Sequence, residues 1–544
     1  MPIRPITPEL DKHFKAQGVW GDQTLYQHFE AAAKSYPTKM ATKDARSSMS
    51  YAEFLKSVQR CAWYLHKLGV QPGELVAIQV PNWNELAMVH LACNLLGVVC
   101  LPMHNDWREK EIGHLLETTQ AKVVFVPKNF RDFDYPGMIA QLQPSLPDLK
   151  QVVVIDAQGD YTQAIDDQQA FDQLLEQGKK RSPNDPVNIM VSSGTTSLPK
   201  PSLWTDNNMI ALLLHQYAPQ MNVTAEDRAV TLAPASTGAT GYVFAVLLPL
   251  LVGATCVLLE RWGKAEEALE LIEQEKATYA VAVPAQMNML VASSQLSSTN
   301  FDHLTRFSNA GAPLPVDTAL QVENLMGCRV HTIYGATDGG VPVGTCLDDN
   351  DEKRLGSVGR AMPGQEMRLV DDNYENVAEG GRGEILIRGA NKSFGYLNSP
   401  DDNAAVWVED GWYATGDLGE IDAEGYLRIV GRKKDMIIRG GQNISPREIE
   451  EMLIEHSAIA DIAIAAMPDK ILGERACAFV VLKPDEAFTF EQMIAFLMEK
   501  KIAKYKLPER LEILDEFPVS AGGKIQKGVL TDQITAVLKR EMSA

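Results

Sequence analysis

Short runs of strand-forming apolar residues alternate with helical stretches through the first part of the chain, and this alternation restricts the architecture more than any other feature. ELVAIQV (74–80) precedes a helical segment from Asn84 to Leu96, and GVVCLPM (97–103), AKVVFV (121–126), QVVVID (151–156) and PVNIMV (186–191) continue the pattern. Strands separated by helices predict α/β layers with largely parallel sheets. From about Gly356 Gly-rich turns separate short strands, as in EGGRGEILIRG (379–389) and DAEGYLRIVGR (422–432), which predicts a small β-rich subdomain. A second α/β unit follows Gly431. Ser445-Pro446-Arg447-Glu448 predicts a capping box with proline at the first helical position, opening the helix IEEMLIEHS. AIADIAIAAMP (458–468) and ACAFVVL (476–482) read as strands, and FEQMIAFLMEKK (490–501) as a helix. A chain of 544 residues exceeds one hydrophobic core. The expected fold class is therefore α/β, with a large N-terminal lobe of layered sheets plus the β-rich subdomain (1–433) and a small α/β C-terminal lobe (434–544).

Charge narrows the partners. Acidic residues outnumber basic ones 71 to 51, a net charge of −20. Such a surface repels nucleic acid and anionic lipid, so an anionic ligand must be held by local donors. The apolar run Val243 to Leu259 is too short for a membrane span and is interrupted by Pro249, Gly253 and Thr255. It reads as a buried helix, a turn and a buried strand. The N-terminus lacks the apolar core of a signal peptide, and the seven scattered cysteines form no CxxC pair, so buried thiols in a cytoplasmic protein are expected.

Five segments carry candidate chemistry. VSSGTTSLPK (191–200) follows a strand, and its backbone N–H groups, with hydroxyls of Ser192, Ser193, Thr195 and Thr196 around Gly194, could wrap a polyphosphate that Lys200 helps to neutralise. It is not a P-loop, because no glycine precedes the lysine. TIYGATDGG (332–340) offers an aromatic ring, a tight turn and a Thr-Asp pair. GWYATGDLGEID (411–422) places Asp417 after a Thr-Gly turn, where a carboxylate could accept both hydroxyls of a ribose. GRKKDMIIRGGQNISPREIE (431–450) clusters basic residues around Asp435, and FPVSAGGKIQK (517–527) presents Lys524 on a Pro/Gly-rich loop. Each alone has an ordinary structural explanation as a loop, a turn or a solvated charge run.

Together, in this order and spacing, they resemble the acyl-adenylate-forming superfamily of acyl-CoA synthetases, aryl-acid ligases, peptide-synthetase adenylation domains and firefly luciferase. The resemblance spans the chain from the helical region after Tyr51 to Lys527. It implies an active site between a large lobe and a small mobile one, with ATP, Mg²⁺ and coenzyme A as cofactors or co-substrates. By position, 192–200 would bind the β- and γ-phosphates and Tyr334 would stack on adenine. Ala310, Gly311, Ala312 and Pro313 would line the adenine and acyl pockets, with Gly335 beside them. Thr337 would contact the α-phosphate, and Asp338 would stand where the family places a magnesium-linked Glu. Asp417 would take the ribose hydroxyls with Arg432 nearby, and Lys434 would be the hinge. Lys524 would reach the cleft during adenylation, and Gly440 and Gly441 would admit the pantetheine arm.

Three residues depart from the family pattern: Ser197 and Pro201 replace glycines, and Asp338 is shorter than Glu by roughly 1.5 Å, one C–C bond. In PASTGATGY (234–242), Thr237 stands at a histidine position and Gly238 beside it. The lack of an Asp in this segment disfavours amino-acid substrates. These residues, with Gly340 and Gly339, suggest a roomy, uncharged pocket walled by Tyr242 and Phe244. The expected substrate is an aromatic, alicyclic or medium-chain acid. The leading expectation is an AMP-forming acyl-CoA synthetase; alternatives are a stand-alone aryl-acid ligase loading a carrier protein, and a degenerate homologue that binds nucleotide or acyl ligand without turnover. Monomer and homodimer both remain open.

Overall fold

The computed structural model describes residues 6–156, 159–192, 198–233, 240–439, 442–469, 471–500, 502–520 and 524–543, and the account below is of those residues. The chain packs into two compact units. One comprises residues up to 367 with 387–413, and the other 368–386 with the chain from 414 onward.

Among the described residues two sheets build the first unit. The six-stranded sheet runs Gln151–Ile155, Val123–Pro127, Leu75–Gln79, Val99–Met103, Pro186–Ser192, Lys200–Thr205. Its pairings are parallel except the last, an antiparallel hairpin that sets Ser192 opposite Lys200. Leu75–Gln79 is buried along its whole length. Leu75 and Ala77 enter one apolar core, Val76 and Ile78 another. Both faces of this sheet are covered, which is why the strand reads as a continuous apolar run rather than an alternation. Helix Asn84–Leu96 is buried at every position but Glu85 and ends at Gly97, whose φ of 69° is left-handed.

The nine-stranded sheet runs Arg360–Ala361, Gly340–Gly344, Arg329–Ala336, Arg306–Asn309, Tyr279–Ala282, Arg228–Thr231, Thr255–Leu258, Met40–Lys43, Ser48–Ser50. Its interior pairings are parallel and its outer ones antiparallel. Asn309 pairs with Thr332, so the residues after Asn309 and those around Tyr334 emerge at the same end of the sheet. Ligands in open α/β sheets collect at such carboxyl ends. The run from Val243 forms the expected helix, a turn at Gly253 with φ 84°, and the buried strand Thr255–Leu258. No helix among the described residues is long and apolar enough to cross a membrane. All seven cysteines are free thiols; six are buried and Cys346 is half-buried.

A fully buried guanidinium ties helix Val316–Met326 to strand Arg329–Ala336. Arg354 donates to Glu323, to Asp351 at 2.7 Å and to the Val330 carbonyl at 2.8 Å. Removing one member of a buried pair strands the other charge and costs about 3–5 kcal/mol. Arg354→Met is therefore expected to lower the free energy of urea unfolding by that amount, and an unchanged unfolding curve would refute the assignment.

The second unit holds most of a four-stranded sheet, Gln365–Val370, Arg382–Gly389, Tyr413–Ile421, Leu427–Arg432, which is the expected β-rich subdomain. A five-stranded sheet follows: Gln442–Ile444, Ile437–Arg439, Gly473–Leu482 and Ile459–Asp469 in order, with Arg510–Leu514 parallel against Gly473–Leu482. Ile464, Ala478, Leu453 and Leu497 share one core on it, and Leu530 and Ile534 of the helix Lys527–Ser543 cover its other face with Ala463 and Phe479. Helix Pro446–Leu453 begins as expected, with proline at its first position, but the capping box does not form. The Ser445 hydroxyl donates instead to the Val430 carbonyl at 2.7 Å, because the chain entering the helix packs on strand Leu427–Arg432. The cut expected at 433/434 concerns where a lobe would rotate, and it stays a proposal.

Candidate active site

In the first unit two motifs far apart in sequence meet. Strand Arg329–Ala336 folds back on Gly340–Gly344 with Ala336 opposite Gly340, which makes Thr337-Asp338-Gly339 a hairpin turn. The Thr337 carbonyl accepts from Trp204 Nε1 at 3.2 Å. Trp204 lies in the strand that begins at Lys200, so the turn is anchored to the strand that follows the candidate phosphate-binding segment in sequence. Segment 393–397 lines the same strand: Phe394 and Leu397 donate to the carbonyls of Leu203 and Pro201, and the Ser393 hydroxyl donates to the Asp338 carbonyl. The Lys200 ammonium lies 2.6 Å from Asp402 Oδ1 and 5.3 Å from the Tyr396 ring centroid.

Asp338 is 7% exposed, and its Oδ2 accepts from the Tyr413 hydroxyl at 2.7 Å. Burial raises its carboxyl above the ordinary value, opposed by that hydroxyl, by the backbone N–H groups of Asp338 and Gly339, and by the Lys200 charge. Tyr334 is half-buried on its strand opposite Val343. Gly311 has φ 89°, a backbone shape that favours glycine, and a Cβ there would meet Val283 Cγ1 at 3.7 Å, an ordinary contact. Ala310 is buried in the core.

In the second unit Asp417 and Arg432 face each other across the ladder of Tyr413–Ile421 and Leu427–Arg432, with Arg432 Nε 2.7 Å from Asp417 Oδ1. The Thr-Gly step expected as a turn lies instead within strand Tyr413–Ile421, with Gly416 at φ 68°, and it is pinned at three points. Thr415 Oγ1 donates to the Ile385 carbonyl at 2.8 Å, the Asp417 N–H donates to Thr415 Oγ1 at 3.0 Å, and the Gly416 N–H donates to Glu384 at 3.2 Å. Glu384 also binds Lys433 at 3.1 Å. The carboxylate and guanidinium are thus placed by rigid strands. Lys434 lies in the short turn Lys433–Asp435 between two strands. Lys524 ends a small hairpin: its N–H donates to Ser520 Oγ at 3.2 Å, its carbonyl accepts from the Ser520 N–H at 2.8 Å, and Val519 bridges Ile525.

The expected roominess of the acid pocket is revised at several positions. A Cβ on Gly335 would lie 2.3 Å from the Gly340 carbonyl oxygen, one on Gly340 2.4 Å from that of Asn391, and one on Gly339 2.5 Å from the Tyr413 ring. These glycines serve close backbone approach and leave no empty space. Tyr242 and Phe244 are core residues rather than pocket walls: Tyr242 stacks on His90 and shares a 2.6 Å hydrogen bond with its Nδ1, and Phe244 stacks on Tyr217 with centroids 4.2 Å apart. Ser193, Gly194, Thr195, Thr196 and Ser197, with Thr237, Gly238, Gly440 and Gly441, lie outside the described residues, as does the Ser192 side chain. Trp204, Ser393, Tyr396, Asp402 and Tyr413 were not anticipated. A signal was present for Tyr413, inside the GWYATGDLGEID motif, and for Tyr396, in its Gly-Tyr step between two turn-rich stretches.

Comparison with known proteins follows the same layout. The sequence profile of the AMP-binding enzymes matches residues 29–397, and that of the AMP-binding enzyme C-terminal domain matches 448–524. The medium-chain fatty-acid–CoA ligase of Escherichia coli (strain K12) is 34% identical over 535 residues, covering 97% of this chain and 94% of that one. The 2,3-dihydroxybenzoate-AMP ligase of Bacillus subtilis (strain 168) is 31% identical over 540 residues, covering 98% of each. The crystal structure of ATP-bound MatB from Rhodopseudomonas palustris superposes with a TM-score of 0.83 at 25% identity, covering 95% of this chain and 100% of that one.

Proposed function

Because the chain belongs to the AMP-binding enzyme family, we propose that it is an ATP-dependent, AMP-forming carboxylic acid–CoA ligase that works through an acyl-adenylate on a medium-chain or aromatic acid. The observation that supports this reading most is the Trp204–Thr337 contact, which joins the candidate triphosphate hairpin to the candidate α-phosphate turn.

A carboxylate attacking the α-phosphate brings two anions together, and the charge that spreads over the phosphorus needs fixed donors in a water-poor site. Thr337 offers a hydroxyl beside the α-phosphate, Lys200 and the loop before it hold the β- and γ-phosphates, and Tyr334 supports the adenine. Asp417, oriented by Arg432, takes the ribose hydroxyls. Lys524 bridges the incoming carboxylate and the nucleotide. Among the described residues no three metal-binding side chains converge. A lone hard carboxylate at Asp338 suits magnesium, which takes one or two carboxylates and completes its shell with phosphate and water. Bound there, the ion would offset phosphate charge. In the second half-reaction, as the resemblance implies, Lys524 gives way to the 435–442 segment, where Gly440 and Gly441 have no side chain to block a pantetheine arm.

The carrier-loading reading keeps support from the similarity to an aryl-acid–AMP ligase. The degenerate reading loses ground at one of its departures, since Pro201 sits in regular register opposite Val191. Acid-dependent ATP–pyrophosphate exchange across straight-chain, alicyclic and aromatic acids tests the adenylation step. Exchange with a medium-chain or aryl acid is expected, and no exchange with any acid would refute the proposal. Thioester formation with free CoA against a phosphopantetheinylated carrier then separates the two acceptors.

A further inference from the structure

Tyr413 opens strand Tyr413–Ile421, yet its side chain is committed to the Thr337-Asp338-Gly339 turn. Its hydroxyl binds Asp338 Oδ2, and its ring lies so close to the turn that Gly339 has no room for a Cβ. The ring is fixed from behind. Trp407 meets it edge-on, with centroids 5.0 Å apart and planes at 68°, and the two residues share a main-chain bridge. The Lys392 ammonium sits 4.7 Å from the Trp407 ring centroid and donates to the carbonyls of Ile387 and Gly411 at 3.0 and 2.6 Å. A buried ammonium held by an aromatic face and two carbonyls is a rigid base for this stack. On the other side of the turn, the Ser393 hydroxyl holds the Asp338 carbonyl. The acidic side chain is therefore clamped through both its backbone and its carboxylate.

We propose that Tyr413 is the positioning residue for Asp338, and that the two form a size-matched pair in which the tyrosine hydroxyl fills the volume a longer acid would need. Asp338 is 7% exposed, so an added methylene at this position must displace a neighbour, and the group directly in contact is the Tyr413 hydroxyl. Exchanging both residues at once, glutamate for aspartate and phenylalanine for tyrosine, moves one heavy atom across the contact and nearly conserves volume, the kind of change that cores tolerate best. Either change alone overfills the contact or leaves a buried carboxylate short of a donor. The pair also sets the direction of the carboxylate. The inference rests on the reading that Asp338 faces the metal–nucleotide complex.

The test is a double-mutant cycle on the full chain with Tyr413→Phe, Asp338→Glu and the double variant. Two quantities are read: the urea-unfolding midpoint of the ligand-free protein, and the magnesium concentration giving half-maximal ATP–pyrophosphate exchange. Tyr413→Phe is expected to raise the half-maximal magnesium concentration by about tenfold, as for loss of a hydrogen-bond partner of a metal ligand. Each single variant is expected to lower the midpoint, and the double variant to lower it by clearly less than the two together, because the added methylene no longer meets a hydroxyl; its magnesium requirement is expected to stay raised, since the donor to the carboxylate is still missing. A double variant that folds where Asp338→Glu alone does not also supports the pairing. Additive midpoints would overturn the pairing. Coupled midpoints with an unchanged magnesium requirement in every variant would overturn the positioning role, and would place the fault in the assignment of Asp338 to the metal rather than in its contact with Tyr413.

Discussion

Lys524→Ala is expected to slow acyl-adenylate formation by about 10²–10³-fold, the loss typical of removing one preorganised charge-stabilising donor. The side chain is half-buried at the end of a hairpin whose bonds, Lys524 N–H to Ser520 Oγ and Ser520 N–H to the Lys524 carbonyl, use backbone and serine atoms. Truncating the lysine leaves all of them in place. The far-ultraviolet circular dichroism should be unchanged and the unfolding free energy should change by no more than about 0.5 kcal/mol. Loss of exchange with retained folding isolates the chemical step. Thioester formation from chemically supplied acyl-adenylate should proceed, because that step needs Lys524 out of the way. Exchange at the wild-type rate would remove Lys524 from the mechanism.

The second large effect belongs to Lys434. Proline at this position holds its own φ near −65° and pushes residue 433 towards extended conformations, so a turn that the proposed mechanism requires to change shape between half-reactions is locked. Lys434→Pro is expected to leave pyrophosphate exchange within about threefold of wild type while slowing transfer to CoA by about tenfold or more, as hinge restriction does when a lobe movement separates two steps. Lys434 lies in a short turn between strands Leu427–Arg432 and Ile437–Arg439, where two soft torsions can redirect everything that follows. Measuring the two half-reactions separately decides the matter. Equal loss in both would mean that the turn supports folding or binding and is no hinge.

Much of the architecture was legible in the order of residues. Apolar runs such as ELVAIQV and PVNIMV read as strands of α/β layers, and the structure forms strands Leu75–Gln79 and Pro186–Ser192 there. The stretch from Val243 read as helix, turn and strand, and Gly253 supplies the turn by its positive φ. The Asp417 and Arg432 motifs were visible as separate signals, though their facing positions across one antiparallel ladder were not. Ser445 shows the limit of local reading. Its spacing to Glu448 satisfies the capping pattern, but a carbonyl on a neighbouring strand competes for the hydroxyl and wins.

The chain alone determined its α/β class and the positions of elements such as Leu75–Gln79 and Asn84–Leu96, and it offered the candidate groups for a nucleotide and an acid, because these follow from periodicity, turn chemistry and residue type within a few positions. Tertiary structure alone decided which polar groups are spent on one another. Asn391, Lys392 and Ser393 are three polar residues in a row, yet all three are buried, and Gly335, Gly339 and Gly340 yield their space to a carbonyl, an aromatic ring and a second carbonyl. The same holds for Tyr413 on Asp338, a contact across 75 residues. Burial and hydrogen-bond partnership depend on which distant surfaces the fold presses together, and no local pattern of side chains carries that information.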